Sequence, residues 1–232
     1  MKRIAVVVLA AGSGSRFGRS TNKMWLPLAE RRIISHSLLN AAASFPQRRV
    51  VLVIDPADAE MAKNVLATEV PQLKVELVNG GRTRHDSELN ALKYLSSEID
   101  AGNIDVVLIH DGARPLASAE LFALVADAAQ THGGALPAID VDPSEIDLVL
   151  NERIARVQTP QAFRAKEVLA AYMRAEKDGF VGTDTSACME KYFPGTESVA
   201  VPGEHTNIKI TYPHDLIVAE KIMASKGTVT IS

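Results

Sequence analysis

Residues 4–18 read Ile-Ala-Val-Val-Val-Leu-Ala-Ala-Gly-Ser-Gly-Ser-Arg-Phe-Gly. The first six, Ile4–Leu9, form an unbroken apolar run, which is typical of a strand covered on both faces in a parallel sheet. The residues that follow are rich in glycine and serine, so the backbone can approach a ligand closely and its N–H groups can surround an anion. Because open α/β sheets bind ligands at the carboxyl ends of their strands, this pattern predicts an α/β fold with a site after the first strand.

Strand-like and helix-like segments alternate along the rest of the chain, which predicts a parallel sheet with right-handed crossovers. Hydrophobic runs predict further strands at Val50–Ile54, Val75–Val78, Val106–His110, Ala135–Ile139, Val199–Val201 and Asn207–Ile210. Helical periodicity predicts helices at Ile33–Ser44, Ala57–Glu69, Asp86–Ser97, Ala119–Thr131, Ala165–Lys177, Asp184–Tyr192 and Pro213–Ser225. We expect one domain over residues 1–226, with an excursion from the sheet at about residues 140–157, and a tail at residues 227–232.

The composition narrows the classes of function. The 232 residues include 28 acidic and 25 basic ones, and the net charge of −3 disfavours a general nucleic-acid binder. A local basic pocket could still bind a small anion. The lone cysteine, Cys188, excludes an internal disulfide or a multi-cysteine metal site and fits a reducing compartment. No apolar run reaches the roughly 18 residues of a membrane span, so we expect a cytoplasmic protein with no membrane partner.

Two basic residues accompany the first loop, which extends to Lys23. Together with the loop N–H groups, Arg16 and Lys23 suit a triphosphate. The loop lacks the G-x-x-x-x-G-K-[ST] pattern of a Walker loop. It also departs from the dinucleotide fingerprint, because its third glycine, Gly18, comes one residue late and Asp55 lies too far along the chain for the ribose-binding acid. A flexible surface turn is the alternative interpretation.

Two later loops also place polar residues near predicted strands. The loop Gly80–Ser87 enters a predicted helix, whose N–H groups favour a polar or anionic ligand. Alternatively, Asp86 or Ser87 caps that helix and the loop is an ordinary turn. In Asn207–Thr211, Lys209 interrupts an alternating apolar run and is either a site residue or part of the exposed face of an edge strand.

The loop His110–Pro115 follows the apolar strand residues Val106–Ile109. Asp111 suits a Mg²⁺ ion or a ribose hydroxyl, and Arg114 suits a phosphate group. The alternative is an ion pair between Asp111 and Arg114 that serves only the local structure. On residue types alone, both interpretations stay open.

These loops, in this order, resemble the signature of the 2-C-methyl-D-erythritol 4-phosphate cytidylyltransferases, which the related ribitol-5-phosphate cytidylyltransferases share. The motifs that carry the resemblance are Leu9–Arg16, Gly80-Gly81 with Arg84 and Ser87, His110–Pro115, Gln158–Phe163 and Asn207–Thr211. The resemblance implies a Rossmann-like nucleotidyltransferase domain with a mixed, mostly parallel sheet flanked by helices. It also implies that the chain uses CTP and Mg²⁺ to transfer CMP to a sugar-alcohol phosphate, most often 2-C-methyl-D-erythritol 4-phosphate in isoprenoid precursor synthesis, with release of pyrophosphate.

The resemblance further implies a role for each matching residue. Its catalytic residues would be Arg16, Lys23, Asp111 and Lys209. CTP would be bound by Leu9, Ala10, Ala11, Gly12, Ser13, Gly14, Gly80, Gly81, Ser87, Asp111 and Gly112. The acceptor would be bound by Arg114, Thr159, Thr183 and Lys209, and the metal by Asp111. No general base is needed, because the attacking phosphate is already anionic, and Cys188 is expected to be a small packing residue.

The chain departs from the family pattern at several positions. Asn22 stands where the family has a proline before the loop lysine, and Glu30-Arg31-Arg32 replaces a Gly-Lys-Pro turn. The family's projecting arm, which embraces a second subunit, is several residues shorter here. Val141 and Asn151 stand where the family has a threonine and an arginine that bind the acceptor phosphate of the neighbouring subunit.

Three alternatives therefore stand beside methylerythritol phosphate cytidylyl transfer. Ribitol 5-phosphate or another polyol phosphate could be the acceptor. The chain could also be a nucleotide-binding homologue that has lost turnover, which the altered arm suggests and the intact basic residues oppose. The spacing of the glycines and of Asp55 in this chain disfavours a dinucleotide-dependent oxidoreductase. The resemblance also implies a homodimer held by exchanged arms, and the shortened arm weakens the case for that dimer.

Overall fold

A mixed eight-stranded sheet forms the centre of the computed structural model, which describes residues 3–12, 22–45, 48–141, 154–182 and 184–227. The described strands are β1 (Ile4–Leu9), β2 (Pro27–Leu28), β3 (Arg31–Arg32), β4 (Arg48–Ile54), β5 (Val75–Asn79), β6 (Val106–Asp111), β7 (Gly133–Asp140), β8 (Ala155–Val157), β9 (Gln161–Arg164) and β10 (Glu197–Pro202). Strands β2 and β3 form a separate two-stranded sheet, and the other eight strands form the main sheet. The described α-helices are α1 (Ile33–Ala43), α2 (Ala59–Glu69), α3 (Arg84–Asp100), α4 (Ala119–His132), α5 (Ala165–Asp178), α6 (Thr185–Tyr192) and α7 (Pro213–Gly227).

The strand order explains where a ligand can bind. The main path runs β10-β7-β9-β6-β1-β4-β5, and β8 pairs with β7 off this path. β1 is parallel to both β4 and β6, β4 is parallel to β5, and β7 is parallel to β10, whereas β9 is antiparallel to both its neighbours. The predicted mixed, mostly parallel sheet is confirmed. The chain leaves β1 towards β4 on one side and reaches β6 on the other, which is the reversal of strand order where such sheets bind ligands.

Side chains from both faces of the sheet form two apolar layers. All six residues of β1 are buried, and they alternate between the layers as successive strand residues must. Ile4, Val6 and Val8 pack with α1, α2 and α4, whereas Val7 and Leu9 pack with α3, α5 and α6. The continuous apolar run of β1 is therefore the consequence of helices on both faces. Cys188 of α6 is fully buried in the second layer, as expected for a packing residue.

Two segments differ from the pattern-based assignment. Asn207–Ile210 is not a strand: Asn207 N–H bonds to Glu204 and Ile208 N–H to Thr206, so these amides close local turns, and only Ile210 N–H reaches across to Ala113. Conversely, β9 was not predicted, because its four residues are too few to show a period and begin and end with polar side chains. β9 nevertheless fills the gap between β6 and β7.

The predicted excursion is described only at its two ends. β8 pairs antiparallel with the end of β7, and all three of its residues are exposed. The Val141 N–H donates to Ile154 O at 2.9 Å, which holds the two ends together. Residues 142–153 and the predicted tail from residue 228 lie outside the described part of the chain. Within the described part, no helix is both long enough and apolar enough to cross a membrane.

Candidate active site

A cleft of about 560 Å³ opens beside the carboxyl ends of β1, β4, β5 and β6. The predicted site residues that line it are Leu9, Ala11, Gly12, Lys23, Gly81, Ser87, Asp111 and Lys209. The other lining residues, none of which was predicted, are Met24, Asp55, Arg82, Thr83, Arg84 and Ala113. Segments that are far apart in the sequence thus meet in one cavity, which includes the residues that follow the first strand.

The lining carries a surplus of positive charge. Among the described residues, the lining has four basic side chains, Lys23, Arg82, Arg84 and Lys209, and two acidic ones, Asp55 and Asp111. The described lining therefore has a formal charge of +2, although the whole chain has a net charge of −3. Because a cleft with low-dielectric walls focuses such a field, this cavity favours an anionic ligand.

Asp111 joins two of these cations at the end of β6. Its Oδ2 accepts a bond from Lys209 Nζ at 2.6 Å, and its Oδ1 accepts one from Arg84 Nη1. Burial by itself would raise the pKa of the Asp111 carboxyl, but the nearby charges of Arg84, Lys209 and Arg114 outweigh it and hold that pKa well below its ordinary value. Asp111 is therefore ionised throughout the neutral range and fixes both cations at the cleft.

The alternative interpretation of this loop, an ion pair between Asp111 and Arg114, is not the arrangement in the structure. Arg114 Nη1 instead donates to the carbonyl oxygen of Asn207 at 2.7 Å, and its buried Nε has no hydrogen-bond partner among the described residues. The ion pair of Asp111 is made by Arg84 from α3, 27 positions earlier in the chain. Arg84 was part of the recognised motif but was not predicted to be a site residue.

A buried histidine supports Asp111 from behind. His110 Nε2 lies 3.1 Å from the carbonyl oxygen of Arg114, which can only accept, so Nε2 carries the proton. His110 Nδ1 then accepts from the Thr159 hydroxyl at 3.2 Å, while that hydroxyl oxygen accepts from the Asp111 N–H at 3.0 Å. Burial lowers the pKa of His110 to about 4, so the ring is neutral. Thr159, predicted to bind the acceptor, is buried and acts here on the backbone of Asp111.

The neutral ring of His110 predicts a dependence of stability on pH. The unfolded chain takes up a proton near the ordinary histidine pKa of 6.5, whereas the folded chain does so only near 4. The free energy of unfolding therefore falls as the pH falls from 6.5 to 4, and His110 accounts for about 3 kcal/mol of that loss. Urea unfolding of wild type and His110→Gln at several pH values measures this contribution. Burial lowers the pKa of His85 too, so a smaller slope remains in the variant; an unchanged slope would contradict the assignment.

The loop before α3 is held by a capping box. Thr83, not Asp86 or Ser87, is the N-cap: its hydroxyl accepts from the Asp86 N–H, and the Asp86 carboxylate accepts from the Thr83 N–H. The Ser87 hydroxyl donates to Thr83 O and accepts from the Gly81 N–H, which fixes the glycine turn. A Cβ on Gly80 would lie 2.3 Å from Ala11 Cβ, so glycine is required where the two loops meet.

Asn22 positions Lys23 at the cleft. Its side-chain oxygen accepts from the Met24 N–H, and its Nδ2 donates to Ala10 O at 2.8 Å and to Asp58 at 2.9 Å. Asn22 thus caps the short 3₁₀ turn Lys23–Trp25 and ties it to the end of β1. Where the family has a proline, the Asn22 side chain of this protein makes three hydrogen bonds that hold the turn.

The remaining predicted residues lie behind the cleft or outside the described chain. Ala10 is 1% exposed and donates its N–H to Val53 O at 2.7 Å, and the Gly112 N–H donates to Leu9 O at 2.9 Å. Both therefore shape the cleft through their backbones. Ser13, Gly14, Arg16, Asn151 and Thr183 lie outside the described residues.

The described residues do not form a complete metal site. No group of three or more histidine, cysteine, aspartate or glutamate side chains able to hold a metal occurs among them. Both oxygens of Asp111 already accept bonds from cations, although each keeps a further lone pair. This donor set fits a Mg²⁺ ion that takes one protein oxygen and completes its shell with ligand phosphates and water.

The comparisons with known proteins decide the family. The family profile of 2-C-methyl-D-erythritol 4-phosphate cytidylyltransferase matches residues 4–225. The chain belongs to this cytidylyltransferase family.

The relatives of this cytidylyltransferase match it over nearly its whole length. A protein of Bacillus velezensis named 2-C-methyl-D-erythritol 4-phosphate cytidylyltransferase is 36% identical, over 96% of each chain. One of the same name from Cereibacter sphaeroides is 39% identical, over 95% of this chain and 96% of its own. The solved structure of 4-diphosphocytidyl-2C-methyl-D-erythritol synthase from Anaerococcus prevotii has a TM-score of 0.78 at 26% identity, over 96% of each chain. The predicted family and Rossmann-like nucleotidyltransferase fold are confirmed, whereas the roles of individual residues in this cytidylyltransferase stay predictions.

Proposed function

We propose that the chain transfers CMP from CTP to 2-C-methyl-D-erythritol 4-phosphate and releases pyrophosphate, as an enzyme of isoprenoid precursor synthesis in the cytoplasm. The observation that carries this proposal is the cleft beside the ends of β1 and β6, whose described lining has a formal charge of +2. Asp111 and Lys209 form an ion pair in this cleft, and the chain belongs to the cytidylyltransferase family. A triphosphate is an anion that such a lining can bind, and the reaction needs charge neutralisation more than covalent chemistry.

The proposed reaction is an in-line displacement at the α-phosphorus. An oxygen of the acceptor phosphate forms the new P–O bond, and the bond from the α-phosphorus to the α,β-bridging oxygen breaks, so pyrophosphate leaves with that electron pair. The attacking oxygen is already anionic, so no described residue has to remove a proton. Lys23 and Lys209 both line the cleft, where they can neutralise charge on the phosphates, and Asp111 holds Lys209 in place.

Binding of CTP is proposed to rest mainly on the backbone. Ala11, Gly12 and Gly81 line the cleft, and Ser87 keeps the Gly80-Gly81 turn in one conformation. Arg16 is proposed to join Lys23 on the triphosphate, because the family resemblance gives both residues the role of neutralising charge on the phosphates.

We propose that Mg²⁺ accompanies the triphosphate. The ion supplies charge neutralisation on the phosphates when it is bound, and Asp111 is the residue proposed to offer it one oxygen. Because that carboxylate is shared with Arg84 and Lys209, the protein contributes little metal affinity by itself. Measured Mg²⁺ affinity should consequently rise steeply when CTP is present.

The acceptor half of the site is proposed to include Arg114, Thr159, Thr183 and Lys209, completed by a second copy of the chain. The altered positions Val141 and Asn151 belong to the arm that would reach the neighbouring subunit. They favour keeping ribitol 5-phosphate as the second candidate acceptor, because the phosphate-binding arginine expected from the family is missing at residue 151.

Pyrophosphate release tests the proposal directly. The purified chain is given CTP and Mg²⁺ with methylerythritol phosphate, ribitol 5-phosphate or no acceptor. We expect release with methylerythritol phosphate and only background without an acceptor. Release with ribitol 5-phosphate alone would reassign the acceptor. Measurable CTP binding without release under any condition would favour the inactive homologue.

A further inference from the structure

Glu88 is a buried carboxylate whose hydrogen bonds, among the described residues, go to Arg84, Tyr172 and Thr185 and to none of the groups assigned to substrates. It lies on α3, one helical turn after Arg84, and is 1% exposed. Its Oε1 accepts from Arg84 Nε at 2.9 Å and from the Thr185 hydroxyl at 3.1 Å, and its Oε2 accepts from the Tyr172 hydroxyl. Three helices, α3, α5 and α6, therefore supply donors to one carboxylate. Burial raises the pKa of Glu88 above its ordinary value, and the charge of Arg84 and the two hydroxyl donors oppose that rise.

Glu88 is connected to the cleft through Arg84. The guanidinium of Arg84 lies between two carboxylates, with Nε bonded to Glu88 and Nη1 bonded to Asp111. Asp111 in turn holds Lys209 at 2.6 Å on its other oxygen. Because a guanidinium is planar, contacts at two of its nitrogens fix its orientation as well as its position.

We propose that Glu88 is a positioning residue for the transfer reaction. It fixes the guanidinium of Arg84 so that Asp111 and Lys209 are held in one arrangement at the cleft. Through Thr185, the first residue of α6, it also ties this arrangement to the N-terminus of α6. The proposal rests on the proposed function, since turnover is its readout.

A neutral variant separates positioning from a purely structural role. Glu88→Gln keeps the shape of the side chain and one oxygen for Arg84, but it removes the charge that orients the guanidinium. We expect kcat at saturating CTP and acceptor to fall by about tenfold to a hundredfold, with the KM for CTP little changed. If Glu88 served only the packing of the helices, the thermal midpoint would fall and kcat would stay near wild type.

Glu76 provides a matched control. It accepts from Arg49 and from the Tyr94 hydroxyl, so it repeats the arginine–glutamate–tyrosine pattern on β5, and it is not part of the cleft lining. Glu76→Gln is expected to keep the kcat of the wild type. A loss of kcat equal to that of Glu88→Gln would show that any such pair supports turnover, and the proposal would fail.

An exchange variant provides the decisive test, including the case in which Glu88→Gln folds poorly. The Thr185 hydroxyl lies 3.1 Å from the Glu88 carboxylate, so Glu88→Thr combined with Thr185→Glu moves the charge from α3 to α6 beside the same Arg84 Nε while conserving composition. We expect it to recover most of the kcat that Glu88→Thr alone loses. No recovery in an exchange variant that folds with the circular dichroism of the wild type would overturn the proposal. A wild-type chain that releases no pyrophosphate would instead refute the proposed function.

Discussion

Replacing Lys23 with alanine is expected to lower kcat by about a hundredfold to a thousandfold, the effect of removing a group aimed at developing charge. Lys23 lines the same cleft as Asp111, on a short turn that Asn22 ties to the end of β1. That turn is held by backbone bonds and by the Asn22 side chain. Pyrophosphate release at saturating CTP and acceptor measures the effect.

The control for this substitution is a lysine outside the cleft. Lys63 of α2 is exposed and does not line the described cleft, and its ion pair with Glu60 spans one helical turn. Lys63→Ala should therefore keep the kcat of the wild type. Thermal unfolding of both variants shows whether either one changes the fold. Turnover of Lys23→Ala close to that of Lys63→Ala would remove Lys23 from the catalytic group.

Local sequence patterns were sufficient to predict most of the helices and strands of the fold. The apolar run of β1 predicted a strand buried on both faces, because helices cover the two sides of a parallel sheet. Asn207–Ile210 was assigned wrongly, since a short alternating run also suits an irregular segment whose amides bond within local turns. β9 has only four residues, and its place between β6 and β7 is fixed by long-range pairing that no local pattern encodes.

The site was predictable where a loop follows a strand and unpredictable where distant side chains meet. Lys23, Asp111 and Lys209 stood in recognisable loops, and the structure brings all three to one cleft. Arg84 stands in one of the motifs that carry the family resemblance, but no role was predicted for it. Its partner Asp111 is 27 positions away in the sequence, so no local pattern shows the pair. Glu88 gave no signal at all, since a glutamate on a helix is ordinarily solvated and only the fold brings Thr185 to it across 97 positions.

Asp111→Asn is expected to impair both stability and turnover. The substitution removes the charge that separates Arg84 from Lys209, so two cations would face a neutral amide in a buried position. Breaking a buried ion pair typically costs 3–5 kcal/mol, and we expect about 3 kcal/mol here because Glu88 still pairs with Arg84 and because Lys209, 40% exposed, can return to water. Urea unfolding at pH 7 measures the loss, and Asp105→Asn, which breaks the exposed pair with Arg3, should cost less than about 1 kcal/mol.

The pH dependence of this stability difference gives a second measurement on the same variants. The pKa of Asp111 is depressed in the folded chain, so its contribution is complete above the ordinary value near 3.9 and is lost only as the pH falls through the lower folded value. The difference between wild type and Asp111→Asn should therefore be constant from pH 5 to pH 8. A difference that shrinks within that range would show that the Asp111 carboxyl is protonated near neutrality and that Arg84 and Lys209 do not hold it ionised.

Turnover of Asp111→Asn must be measured well below its unfolding temperature, so that lost stability does not count as lost catalysis. Under those conditions we expect kcat to fall at least about a hundredfold, because Lys209 is no longer held at the cleft and the substrate phosphates lose an oriented cation. Lys209→Met should lower kcat by a similar factor while costing less stability, since its side chain is partly exposed. If the double variant loses no more activity than either single one, the two residues act as one unit on the phosphates. Independent, multiplying losses would instead assign Asp111 a role of its own on the ribose or the metal.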